Sequence, residues 1–142
     1  MIIKSKANAA VVVTAVRNLE EDNWERLEIE VKNVSRLPVY HVEIAVNFPE
    51  VVNTELDGLR RTFVIPFMYG RPDLMRSGVL ATSKDEPIGP GESCVLKIPG
   101  EYRGLRETLT VVTRAGIRVY SVSFGDGTGL KAGGVPFSFN KK

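Results

Sequence analysis

In the stretch WERLEIEVKNVS, Trp24, Leu27, Ile29 and Val31 are apolar, while Glu28 and Glu30 interleave with the last three and Lys32 follows them. The pattern returns in VYHVEIAVNFP, where Tyr40, Val42, Ile44, Val46 and Phe48 interleave with His41, Glu43, Ala45 and Asn47. Side chains of an extended chain point to opposite faces in turn, so a period of two means a strand with one buried and one wet face. A helix would need apolar positions three and four residues apart. The linking NVSRLP carries the turn formers Asn33, Ser35 and Pro38. Two half-buried neighbours joined by a short turn predict an antiparallel pair. On this pattern His41 falls on the solvated face.

The same reading extends along the chain. Residues 9–17 predict a first strand. They follow two lysines and superficially suggest a signal peptide, but Asn8 and Thr14 interrupt the apolar part and no small-residue cleavage site follows. FVIPFMY, residues 63–69, predicts an edge strand, because Pro66 cannot donate to a ladder. RPDLMRSGVLATSKDEP has no period and predicts a long loop. IGPGESCVLKIP places Cys94, Leu96 and Ile98 on one face after a Pro-Gly turn. Residues 101–111 predict a short helix weakened by Gly104. The end, IRVYSVSFGDGTGLKAGGVPFSF, predicts strand, tight turn, strand, with Tyr120, Val122 and Phe124 on one face. About seven short strands and at most one short helix predict an all-β sandwich or barrel.

Composition narrows the classes. A chain of 142 residues with 43% hydrophobic and 25% charged residues fits one globular domain, residues 1–142, with a real core. A net charge of +2 gives no electrostatic footprint for nucleic acid. One cysteine excludes an internal disulfide and any multi-cysteine metal site. No apolar run reaches the roughly 20 residues of a membrane-spanning helix.

The candidate chemistry reduces to a few residues. Gly127, Gly129 and Ala132 fit G-x-G-x-x-A after a strand, but a dinucleotide loop needs a following helix, and Gly133, Gly134 and Pro136 stand there instead. Gly125, Asp126, Gly127 and Gly129 suit a hairpin turn. Asp126 and Thr128 are too few oxygen ligands for calcium. His41 and Glu43 form H-x-E without the P-C-x-x-C partner of zinc deaminases. No G-x-S-x-G elbow exists, and Cys94 reads as a small core residue. No catalytic set, metal site or cofactor site is expected. Arg60, Arg61, Arg71 and Arg76 lie near Phe67, Met68 and Tyr69. Arginine with aromatics favours protein interfaces, and aromatics stack on sugars. Arg61, Phe67, Tyr69 and Arg71 are therefore the candidate binding residues. Asn33-Val34-Ser35 also matches the glycosylation sequon.

LEIEVKNVSRLPVYHVEIAVNF resembles the B and C strands of bacterial immunoglobulin-like or fibronectin-III-like modules, including the FxLYD type. IGPGESCVLKI is similar to the segment that opens a later strand in them. VYSVSFGDGTGLKAGG resembles the terminal hairpin of small exported bacterial β-sandwich proteins, with Leu130 where tryptophan is expected. The resemblance covers most of the chain except about Pro49 to Pro87 and implies no catalytic residue.

The expectation is one immunoglobulin-like antiparallel sandwich with a core of Trp24, Leu27, Ile29, Val31, Val42, Ile44, Val46, Leu96, Ile98, Tyr120, Val122 and Phe124. Its expected function is a non-enzymatic structural or protein-interaction module, assembling with a protein partner or with itself by strand exchange or edge pairing. The resemblance implies export to the periplasm or cell surface, the natural signal having been replaced by Met1; the sequence leaves a cytoplasmic location open. The alternative is a carbohydrate-binding module that uses Phe67 and Tyr69, with a glycan as ligand.

Overall fold

A computed structural model describes residues 2–6, 10–18, 26–53, 61–100, 114–131 and 134–138. Nine strands follow in order: β1 Ile2–Lys6, β2 Val11–Arg17, β3 Glu28–Asn33, β4 His41–Asn53, β5 Arg61–Tyr69, β6 Ser93–Lys97, β7 Arg114–Ser123, β8 Thr128–Lys131 and β9 Val135–Ser138. A 3-10 turn at Pro72–Met75 is the one helical element beyond Arg26 and Gly134 and their like single residues among those described. The chain forms two sheets, a small one in the order β2-β3-β6 and a large one in the order β5-β4-β7-β8-β9, with β1 added in parallel along β7. All other pairings are antiparallel. The architecture is the expected all-β two-sheet sandwich. Trp24 and the helix expected over 101–111 lie outside the described residues.

The alternating faces explain the packing. Leu27, Ile29 and Val31 of the small sheet bury against Val42, Ile44, Val46 and Phe48 of β4, with Ile65 and Phe67 of β5 and Ala115, Ile117, Val119 and Val122 of β7. Leu96 and Ile98 close the layer as expected, and Cys94 and Phe124 are partly buried against it. Burying a large aliphatic or aromatic side chain is worth about 1.5–3 kcal/mol, so this one layer is the main source of stability.

Tyr120 is a correction. It is 43% exposed, although counting by twos from Phe124 and Val122 puts it in the core. Opposite β4, Glu43 pairs with Ser121 and the next residue, Ile44, pairs with Val119. Tyr120 is thus the extra residue of a β-bulge, and the bulge reverses the parity of the strand. Before it the buried set is Ala115, Ile117 and Val119.

The turns carry the expected residues. Gly125 and Gly127 both have positive φ in the β7–β8 turn, which Phe124 N–H closes by donating to the Thr128 carbonyl. The G-x-G-x-x-A spacing is therefore a hairpin. Pro66 does sit on an edge strand, since β5 ends the large sheet. The strand expected over 9–17 is β2, β1 at Ile2–Lys6 is unexpected, and β9 splits from β8 across Gly134, where φ is again positive.

Candidate functional site

The chain beyond β5 turns back over the outer face of the large sheet. Gly70 makes this possible: its φ is +74°, and a Cβ there would lie 1.9 Å from the Tyr40 carbonyl oxygen. Pro72–Met75 then crosses the ends of β4 and β7, with Leu74 buried beneath it. Ser123 Oγ donates to the Leu74 carbonyl at 3.3 Å and ties the turn to β7.

This cover explains a second correction. His41 is on the outer face, as its parity requires, but it is only 1% exposed. The Nδ1 atom has no hydrogen-bond partner. Burial holds its pKa below the usual histidine value, and the nearby backbone of Gly70 and Tyr69 offsets part of that. Two residues on, Glu43 shares this face, and burial raises its carboxyl above the usual range.

His41 and Glu43 open onto a cleft of about 570 Å³, also lined by Pro72, Met75, Tyr120, Ser121, Lys131 and Val135. The Arg118 guanidinium lies 5.8 Å from the Tyr120 ring centroid, and the Lys131 ammonium 5.7 Å from that of Phe137. Opposite charges, one neutral imidazole, a hydroxyl and apolar walls meet there. Among the described residues, no three histidine, cysteine, aspartate or glutamate side chains are placed to hold a metal ion.

The residues singled out by sequence go elsewhere. Phe67 is fully buried in the core and presents no ring to a ligand. Tyr69 donates its hydroxyl to the Glu86 carbonyl at 2.5 Å. Arg71 grips Asp85 with two bonds, Nε to Oδ1 and Nη2 to Oδ2, each 2.8 Å, and reaches Asp73 at 3.1 Å. This fork and the Thr82 N–H hold the Asp85 carboxyl well below the usual carboxylate range. Tyr69 and Arg71 thus shape the 71–86 segment instead of forming a free binding surface. The side chain of Arg61 lies outside the described residues. Phe67 follows from an overlooked parity: Ile65 and Phe67 alternate with Val64, Pro66 and Met68, and the larger pair faces the core.

Two further candidates resolve structurally. Asn33 is fully buried, and its Nδ2 donates to the Leu37 and Ile88 carbonyls at 2.7 and 2.8 Å. The sequon nitrogen is therefore consumed by the fold. Burial raises the Cys94 thiol pKa, which disfavours the reactive thiolate.

Comparison with known proteins returned no matching family model, no matching curated protein and no matching solved structure.

Proposed function

We propose that the protein is a non-enzymatic interaction module of immunoglobulin-like type that associates with further copies of itself through the outer face of the large sheet. The observation that carries this reading is an apolar strip on β5. Val64 and Met68 flank Pro66 on the outer side of the strand, 46% and 42% exposed. Exposed apolar side chains in a row mark interaction surfaces more often than scattered ones do. Beside the strip, Arg118 and Glu43 bring opposite charges to neighbouring strands, and neither has an ion-pair partner among the described residues. A two-fold axis would set each against its counterpart, as an isologous contact requires.

The sheet orders support the fold side of this reading. β2-β3-β6 and β5-β4-β7-β8 follow the A-B-E and C′-C-F-G orders of such modules. The edges favour a face over strand exchange. Pro66 interrupts β5, Pro136 interrupts β9, a register shift breaks β2 between Val13 and Ala15, and β6 is five residues long and ends in Lys97. Each is a device that blunts edge pairing. The resemblance to exported bacterial sandwich proteins extends the reading to the periplasm or cell surface.

The test is light scattering coupled to size-exclusion chromatography over a concentration series. The mass should rise above that of one chain with concentration, and Val64→Glu and Met68→Glu should each restore the monomer. Both positions are exposed, so folding survives the change. A monomer at every concentration overturns the proposal.

A further inference from the structure

The cleft beside the Pro72–Met75 turn adjoins the β5 strip at Glu43, which lines the cleft and pairs across the strands with Met68. Its volume falls within the range of small-molecule sites, and such sites combine apolar walls with a few convergent polar groups. Pro72, Met75, Val135 and the Tyr120 ring supply the walls; His41, Glu43, Ser121 and Lys131 supply the polar groups. His41 contributes an edge of a 1% exposed ring to this lining, so the groups that a ligand can reach are Glu43, Lys131 and the Tyr120 ring.

We propose that this cleft binds a neutral polyhydroxylated small molecule, the chemistry of a sugar ring. The lining selects the class. A carboxylate ligand would gain Lys131 but meet Glu43, and an amine would gain Glu43 but meet Lys131 and Arg118. Hydroxyl groups both donate and accept, so one ligand can meet the Glu43 carboxylate and the Lys131 ammonium together. The apolar face of a sugar ring stacks on an aromatic side chain, and Tyr120 is the exposed ring available. The β-bulge that turns Tyr120 outward is what places it here. Phe67 is fully buried and offers no stacking face, and this site uses neither Phe67 nor Tyr69.

His41 is the single histidine, so its imidazole carbon-bound protons form an isolated pair of NMR signals. Glucose, galactose and N-acetylglucosamine are titrated separately into the full chain, at a protein concentration where light scattering finds one species. That condition keeps a failure here distinct from a failure of self-association. At least one sugar should shift the His41 signals saturably. Tyr120→Ala should weaken that binding roughly tenfold, the scale of a lost aromatic contact. The exposed position of Tyr120 lets this variant fold where a His41 variant would be at risk. The proposal is overturned if none of the three sugars shifts His41 saturably, if Tyr120→Ala leaves the affinity unchanged, or if acetate or ethanolamine binds and the sugars do not.

Discussion

Replacing Asn33 with alanine should cost the fold about 3 kcal/mol, the sum of hydrogen bonds at about 1 kcal/mol each with an allowance for water. The side chain holds three segments at once. Nδ2 donates to Leu37 and to Ile88, 55 residues away, while Oδ1 accepts from Ser35 N–H at 2.9 Å and from Ser35 Oγ at 2.7 Å. Four bonds would set about 4 kcal/mol as the ceiling. Of the stranded carbonyls, Ile88 keeps the Val39 N–H, and Leu37 can take the Ser35 hydroxyl proton that Asn33 Oδ1 no longer accepts. The Ser35 groups are also near enough to the surface to find water, which lowers the figure to about 3 kcal/mol. Against a typical total of about 5–15 kcal/mol, the variant would remain folded but visibly weaker. Urea unfolding followed by fluorescence measures it, with a lower midpoint and an unchanged slope. Asn33→Asp should be worse at neutral pH, because a carboxylate oxygen then faces two carbonyl oxygens, and it should recover in part when acid protonates that oxygen. An Asn33→Ala unfolding free energy that differs from wild type by less than about 1 kcal/mol, a single hydrogen bond's worth, would refute the reasoning.

Gly70→Ala should destabilise by at least about 2 kcal/mol, because it meets both a positive φ and the Tyr40 carbonyl; thermal unfolding reads the loss. Glu43→Gln should stabilise the fold at neutral pH. The folded carboxyl has a raised pKa, so its favourable contribution is present below the unfolded pKa and lost as pH rises through the folded one. The gain from Gln should therefore shrink to nothing in acid, which urea midpoints at several pH values would show. His41 has the opposite sense: its folded pKa is depressed, so its contribution is present above about 6.5 and lost as pH falls toward the folded value. An NMR titration of the imidazole should place its midpoint below that of a free histidine.

The parts of the fold legible in the sequence are those where one period governs one face. Leu27, Ile29, Val31, Val42, Ile44 and Val46 alternate without interruption, and all six are buried. The turn glycines were legible too, since positive φ leaves glycine few rivals. The reading failed where a backbone irregularity changed the count. One inserted residue sent Tyr120 outward and Val119 inward, and no side-chain pattern announces a bulge before the partner strand is known. β1 failed for another reason: five residues with two lysines carry little period, and its parallel pairing to β7 joins opposite ends of the chain.

The candidate site was illegible for a related reason, because it lies where the sheet is covered from outside. His41 obeys its alternation and still ends up buried, because a two-layer reading assigns water to every outer face. The Pro72–Met75 turn adds a partial third layer over one end of the sheet. That turn is held by Arg71 on Asp85 and by Ser123 on Leu74, contacts spanning 14 and 49 residues. Arg71 was noticed as a charge near aromatics, yet its role is to fix the cover, and the cover makes the cleft. Binding chemistry in such a fold is thus built by the loop that closes a sheet face, using residues that alternation alone assigns to solvent. The same argument says where the two proposed surfaces meet: the cleft forms where the turn covers β4 and β7, the association face is centred on Val64, Pro66 and Met68, and Glu43, opposite Met68, borders both.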